Sequence, residues 1–467
     1  MNIQELKLKI LDLALNGNFS ETLSTDEPVE CLLNKLKAKP LLDELSNYPK
    51  SWSVVSFGSL ADIYTGNSTS DDEKNRFSRK IENSYEYIST KDISMSGKVD
   101  YENGMYIPKS EKKFRIAKTN SILLCIEGAN AGNKIAFIDR DVCFVNKLCC
   151  FHIKEINRKF IYYYLQSRKF RNKFLDKMQG IIGGVSISKV KKLPVPIPPI
   201  EEQERIVEKL DNVFKLLEIL ENNQKNLVDL KAKTNNKILD LAVEGKLVKS
   251  HTSSSAIILL NDITKKQKLL ISKKLIKPIK NIAPINKDEL PFEIPKNWVW
   301  TRLGSIVELI TDGTHKTPKY VSSGIKFISV QNISSGYFDL NNVKFITNEE
   351  HEMLCKRVKP IKNDLLICRI GTLGKAIKID FDPEFSIFVS LGLIRFVDSR
   401  IVDFVKIFIN SSYGKQWILD NRVGGGTHTY KLNLESFPNM LIPLPPVDEI
   451  ELIIDKVNSL TSLVNTL

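Results

Sequence analysis

One stretch carries the most regular alternation of apolar and polar positions in the chain. From Leu193 to Leu247 it reads LPVPIPPIEEQERIVEKLDNVFKLLEILENNQKNLVDLKAKTNNKILDLAVEGKL. Apolar residues fall in a 4,3 rhythm at Ile206, Leu210, Val213, Leu217 and Leu220, and the rhythm continues through Gln224, Leu227, Lys231, Thr234, Ile238 and Leu241. That spacing predicts one long helix with a narrow seam, made to lie along another helix. Pro198 and Pro199 forbid helix before it. Glu201, Glu202 and Glu204 suit the positive end of its dipole, and Gly245 can supply the left-handed residue that stops it. At 1.5 Å per residue such a helix is roughly 65 Å long.

The pattern occurs twice. Near the other end, LIPLPPVDEIELIIDKVNSLTSLVNTL repeats it 247 positions later, with Pro445 and Pro446 before a seam of Ile453, Val457, Leu460 and Val464. This copy stops at Leu467, the equivalent of Leu220. The missing half lies at the start: Lys9 to Phe19, KILDLALNGNF, matches Lys237 to Leu247, KILDLAVEGKL. The pattern therefore predicts two long antiparallel helices, one continuous and one assembled from both ends of the chain.

Two further segments, each opening on a tryptophan, also repeat. WSVVSFGSLADIYTGNS from Trp52 matches WVWTRLGSIVELITDGTH from Trp298, and NSILLCIEGANAGNKIAFID from Asn120 matches NDLLICRIGTLGKAIKID from Asn363. Short β-branched and aromatic runs broken by Gly and Asn predict strands and turns, with a helix near the end of each segment. The helices repeat closely and these segments only in pattern, as expected of one scaffold carrying two binding specificities. Polar connectors lead into each tryptophan. The second holds a basic run, Lys265, Lys266, Lys268, Lys273, Lys274, Lys277 and Lys280, read as a solvated helix face.

Composition narrows the function. At 467 residues the chain has room for two or three domains. Lys and Arg number 68 against 55 Asp and Glu, a net charge of +13, which favours an anionic partner, most often nucleic acid. No run of about 20 apolar residues and no secretory leader is present. Seven cysteines, odd in number and without C-x-x-C spacing, read as buried thiols of a cytosolic protein. Five histidines lack metal-ligand spacing. GTLGK (Gly371 to Lys375) is too short for a phosphate-cradling loop, and neither a dinucleotide G-x-G-x-x-G nor an amino-methyltransferase Asn/Asp-Pro-Pro-aromatic tetrad occurs. A basic two-module chain without a catalytic set reads as a binder rather than an enzyme.

Two kinds of loop recur in both segments and hold the groups that phosphate and base-edge contacts need. One follows the tryptophan-led strand: Thr65, Asn67 and Ser68 in the first segment, Thr311, Asp312, Thr314, His315 and Lys316 in the second. The other is a Gly-rich turn before the prolines: Gly183, Gly184, Ser186, Ser188 and Lys189, then Gly425, Thr427, His428, Thr429 and Lys431. Glycines there let the main chain approach a phosphate.

At these residues the chain resembles the specificity subunit of Type I restriction-modification systems. The resemblance rests on PIPPIEEQERIVEKL (Pro196 to Leu210), its copy PLPPVDEIELIIDKV (Pro443 to Val457), KILDLAVEGKLV (Lys237 to Val248), the tryptophan-led strand with DGTH, and the G-x-x-G-K hairpin. One departure is Asp448-Glu449-Ile450 where Glu-Gln is typical. The resemblance implies an α+β chain in which two mixed target recognition domains are joined by two long antiparallel coiled-coil helices, with a pseudo-two-fold internal repeat. Its segments are 1–19 (part of the second conserved helix), 20–51 (connector), 52–195 (first target recognition domain), 196–247 (central helix), 248–297 (connector), 298–442 (second target recognition domain) and 443–467 (last conserved helix). It implies a cytoplasmic, non-catalytic subunit that binds double-stranded DNA, each domain reading half of a split, asymmetric target. The expected partners are two copies of an adenine methyltransferase subunit carrying S-adenosylmethionine, and restriction/translocase subunits using ATP and Mg. This chain would hold no cofactor or metal. A coiled-coil adaptor that binds only proteins is the alternative from a different class. The DNA-reading part of a standalone restriction-methylation enzyme is a third.

Overall fold

The computed structural model describes residues 2–179, 183–249, 254–425 and 428–467. They form two compact units, Met1–Gln224 and Lys225–Leu467.

In the first unit, a helix over Ile3–Leu15 starts at Asn2, whose side chain accepts the Glu5 N–H at 3.2 Å. It ends where Gly17 takes a φ of 79° and the Asn18 N–H reaches the Leu13 carbonyl. The expected connector is partly built: a helix over Val29–Leu36 buries Val29, Leu32 and Leu33. Asp26 just before it takes two bonds from Arg205, at 3.0 and 2.6 Å.

The strands of this unit are β1 (Ser53–Ser56), β2 (Ala61–Thr65), β3 (Ser84–Ile88), β4 (Tyr106–Pro108), β5 (Ile116–Ala117), β6 (Ile122–Cys125), β7 (Ile135–Phe137), β8 (Val142–Phe144), β9 (Leu148–Ile153) and β10 (Pro194–Ile197). One sheet has the order β2-β9-β6-β7 and another β4-β3-β8-β5, with β3 and β8 parallel. Helices Arg158–Gln166 and Arg168–Leu175 cover the first sheet with aromatic rings: Phe57 meets Phe151 at 5.2 Å and Phe170 at 5.9 Å. β1 and β10 pair antiparallel, so the chain enters and leaves this module side by side.

From β10 the chain turns through Pro198-Pro199 into the long helix, Ile200–Val243. The helix stops as expected: Gly245 has a φ of 69° and the Lys246 N–H bonds the Leu241 carbonyl at 2.9 Å. The first helix runs antiparallel to its first half, with Lys209 Nζ on the Phe19 carbonyl at 3.0 Å and Lys7 Nζ 3.8 Å from Glu221.

The second unit repeats these strand orders. After a helix over Ala256–Ser272 come β11 (Val299–Arg302), β12 (Val307–Asp312), β13 (Ile325–Ile328), β14 (Lys344–Ile346), β15 (Leu365–Cys368), β16 (Ala376–Lys378), β17 (Phe385–Ile387), β18 (Leu391–Phe396), β19 (Arg422–Gly425), β20 (His428–Leu432) and β21 (Leu441–Leu444). β12-β18-β15-β16 corresponds to β2-β9-β6-β7, and β14-β13-β17 to β4-β3-β8, again with one parallel pair. β11 pairs with β21, which leads through Pro445-Pro446 into the last helix, Val447–Thr466. Near the end of that helix, the Asn465 carbonyl takes a bond from Lys231 Nζ at 3.3 Å.

Of the expected seam, Ile206, Leu210, Leu217, Ile453, Val457 and Val464 are buried, while Val213, Leu220 and Leu460 are half-buried. The rhythm does not carry burial through the middle of the long helix: residues 221–230 are exposed, Leu227 at 40%. Cys125, Cys143, Cys149, Cys150 and Cys368 are buried free thiols, and Cys31 and Cys355 are half-buried. Burial pushes the Cys143 thiol up to about 12. Among the described residues no helix is long and apolar enough to cross a membrane.

Each tryptophan that opens a module meets the glutamate at the start of a helix. The Trp298 indole N–H donates to Glu449 at 2.7 Å, and Asn297 donates to the same carboxylate at 2.6 Å. In the first unit Glu202 takes a bond from the Thr22 hydroxyl, and burial raises its pKa. The Trp52 N–H favours its charge but falls short of a hydrogen bond. Gln203 beside it is buried and bonds the Pro198 carbonyl and the Asn157 N–H, at 2.8 and 3.0 Å. Its counterpart Ile450 is buried among apolar neighbours, so the Gln-to-Ile departure exchanges two hydrogen bonds for core packing. Orphaning a buried polar group costs about 1–3 kcal/mol. Glu449→Ala, which removes a partner of the buried Trp298 indole and of the half-buried Asn297 amide, is expected to lower stability by about 1–3 kcal/mol, read as a fall in the urea midpoint, and Glu449→Gln by less.

Candidate nucleic-acid interface

In the first unit the two expected kinds of loop meet. Thr65 ends β2 opposite Cys149. The Gly-rich turn is tied to the β6–β7 hairpin: the Gly128 N–H bonds the Gly183 carbonyl at 2.9 Å and the Val185 N–H the Ile126 carbonyl at 3.0 Å. Gly184 exchanges two backbone bonds with Gln179. Thr65, Gly183, Gly184 and Ser186 line one cavity of about 730 Å³, with Ile126, Glu127 and Asn146. Ser186 opens the short helix Ile187–Lys191, its hydroxyl 3.0 Å from that of Ser188, and both serines are exposed. Lys189 reaches the Lys177 carbonyl at 3.5 Å. Ser68 is exposed. Asn67 is occupied in shaping its loop: its side-chain oxygen accepts the Arg115 N–H at 2.9 Å and its carbonyl the Tyr87 hydroxyl at 2.7 Å.

In the second unit one arginine joins the two loops. Arg369, just beyond β15, donates to Asp312 at the end of β12 and, through Nε, to the Leu432 carbonyl at the end of β20 at 3.2 Å. The Leu432 N–H returns a bond to the Arg369 carbonyl. Asp312 also accepts from Arg357 at 2.5 Å and faces His315 Nε2 at 3.0 Å. Only 7% of Asp312 is exposed, so this expected DNA-contacting carboxylate is instead an internal anchor for three donors. Asp312 lies opposite Gly392, where an added methyl would press on the Ile367 and Leu434 side chains.

The remaining positions of the second unit divide. Thr311 pairs opposite Leu393. Thr314 is fixed by its N–H on the Ile387 carbonyl at 3.1 Å and its hydroxyl on the Lys316 carbonyl at 3.2 Å. His315 and Lys316 are exposed. Gly425, at a φ of 116°, faces His428 across the β19–β20 hairpin, and exposed Lys431 faces Val423. Thr427 lies outside the described residues, as do the side chains of His428 and Thr429. Sequence reading missed Arg357 and Arg369. Arg369 had a visible signal, since it begins the RIGTLGK run, whereas nothing local to Arg357 points to residue 312.

Matching positions in the two units carry different chemistry. Thr65 sits one pair beyond Leu148–Cys125, and Asp312 one pair beyond Leu391–Cys368. They are structural equivalents. Ile126, whose carbonyl takes the Val185 N–H, is likewise the equivalent of Arg369. In one unit these two places hold a hydroxyl and an apolar side chain, and in the other a carboxylate and a guanidinium. Among the described residues no group of three or more His, Cys, Asp or Glu side chains could hold a metal ion.

Residues 49–230 match the family described as the Type I restriction modification DNA specificity domain, which gives the class of the first unit. The whole chain aligns with the Type I restriction enzyme EcoAI specificity subunit of Escherichia coli, 25% identical over 545 positions that include 90% of that protein. The MjaVIII specificity subunit of Methanocaldococcus jannaschii is 21% identical over 89% of this chain and 87% of its own length. A chain from a solved structure on complex assembly and conformational transition of the type I R-M system shares the fold, with a TM-score of 0.57 at 16% identity, covering 90% of this chain and 92% of that one. Over its length the chain is similar to Type I restriction enzyme specificity subunits, and its residues 49–230 match the DNA specificity domain of those systems. The protein-only adaptor reading is not favoured.

Two glycines hold the loops in place. A methyl at Gly66 would overlap the Phe144 carbonyl, and one at Gly313 the Ile387 carbonyl. Neither backbone atom can swing aside, because each belongs to the parallel strand pair beneath. Gly66→Ala and Gly313→Ala are each expected to destabilise their own unit by about 1–3 kcal/mol, an overpacking cost measurable by urea unfolding.

Proposed function

We propose that the chain reads a bipartite, asymmetric target in double-stranded DNA and directs adenine methylation or cleavage by partner subunits. The observation that carries this reading is the pairing of one strand order with two chemistries. A cavity lined by Thr65, Ile126, Glu127 and Gly184 and a cluster of two arginines on Asp312 stand at matching places of two modules, as two different half-targets require. The repeat is a pseudo-two-fold one, and the paired helices act as a coiled-coil strut. The net charge of +13 supports a polyanionic partner. The partners in this reading are two copies of a methyltransferase subunit, which bring S-adenosylmethionine and flip the target base. Restriction/translocase subunits bring ATP and Mg.

Mapping of methylated adenines in a tester genome, with the chain co-expressed beside a methyltransferase subunit and then omitted, tests the reading. A split motif that requires the chain is expected. No motif from a soluble complex would overturn it. Four residues inserted near Asn223 are expected to lengthen the spacer between half-targets and leave both half-targets unchanged. An altered half-target with an unchanged spacer would contradict the role given to the helix.

A further inference from the structure

The cluster at the end of β12 has the form of a prepared reading head. Asp312 is buried and bonded to three groups that differ in exposure. The Arg369 side chain is 12% exposed and is spent internally on Asp312, the Leu432 carbonyl and the Val389 carbonyl. The Arg357 side chain is 51% exposed, and its one hydrogen bond among the described residues is from Nη2 to Asp312 Oδ1. Guanidinium carries five N–H donors in a rigid fork, so most of those of Arg357 remain for another acceptor. His315, also on Asp312, is 62% exposed. The carboxylate thus fixes the arginine from behind while its other edge faces outward. Two arginines against one aspartate leave a net positive charge there.

We propose that Arg357 reads a guanine in the half-target recognised by the second unit, with Asp312 as the residue that positions it. This deepens the DNA-reading function and rests on it. A fork offering two parallel N–H donors matches the O6 and N7 acceptors that guanine alone presents together in the major groove. A lysine offers the same charge without the fork. Holding the arginine in advance lowers the side-chain entropy lost on contact. In the first unit Thr65 and Ile126 replace Asp312 and Arg369, and the exposed Arg115 rests on the Thr65 carbonyl at 3.3 Å rather than on a buried carboxylate.

The test is the methylated-adenine map of the full complex carrying Arg357→Ala, Arg357→Lys or Asp312→Asn. Arg357→Ala is expected to keep the split motif and relax one G·C position in one half-target, with discrimination there falling about tenfold to a hundredfold. Arg357→Lys is expected to relax the same position, and Asp312→Asn to relax it in part. Arg357 is half-exposed, so its variants report on reading even if Asp312→Asn fails to fold. A motif unchanged by Arg357→Ala, a uniform loss at every position, or full selectivity with Arg357→Lys would each overturn the proposal while leaving the DNA-reading function intact. Absence of any motif with the unaltered chain would overturn both.

Discussion

The buried carboxylate at the start of a helix is the point on which each unit is hung. In the second unit Glu449 binds the indole of Trp298 and the amide of Asn297, and a methyl at Gly245, where the long helix ends, would come 3.3 Å from the Trp298 ring. One tryptophan therefore meets the end of one helix, the start of another and the first strand of a module. Pro295 packs against Gly245 as Pro49 packs against Gly17, and each proline carbonyl takes the N–H of the tryptophan three residues on. The short strand pairs β1–β10 and β11–β21 then close the modules directly onto the Pro-Pro corners.

Above that junction, backbone does most of the positioning. The two loops of each unit are held by main-chain bonds and by glycines where no side chain fits, and the same bonds recur at matching residues. Side chains are then free to differ. Ile126 and Arg369 occupy one place in the ladder and have opposite characters. Such a division, with fixed main chain and variable side chains, accords with a fold shared with a solved structure at 16% identity.

What could be read from sequence followed the range of the signal. The Pro-Pro starts, the Gly17 and Gly245 stops and the burial of Ile206, Leu210, Ile453 and Val457 come from local stereochemistry and helical period, and these were legible. The exposed stretch over residues 221–230 was not, because a 4,3 rhythm says which face is apolar without saying what covers it. Asn67 and Asp312 looked like outward-facing polar residues of a loop, but their partners are Arg115, Arg357 and Arg369, 45 to 57 residues away for Asp312 and 48 for Asn67. A single sequence holds no record of such pairings. The helix over Val29–Leu36 was hidden for a different reason: eight residues amid polar neighbours give too short a periodic run.

The antiparallel pairing of Ser53–Ser56 with Pro194–Ile197, and of Val299–Arg302 with Leu441–Leu444, places the way in beside the way out of each module. Topologically each module is an insertion into a helical frame, attached through a two-strand neck. Material can be added, deleted or replaced beyond that neck without changing the path of the chain below it. Genetic exchange with break points in the neck would therefore transplant a complete module in one step. A break point inside the module would instead part the side chains carried by the two sides of the ladder that joins Ile126 to Val185, or Arg369 to Leu432.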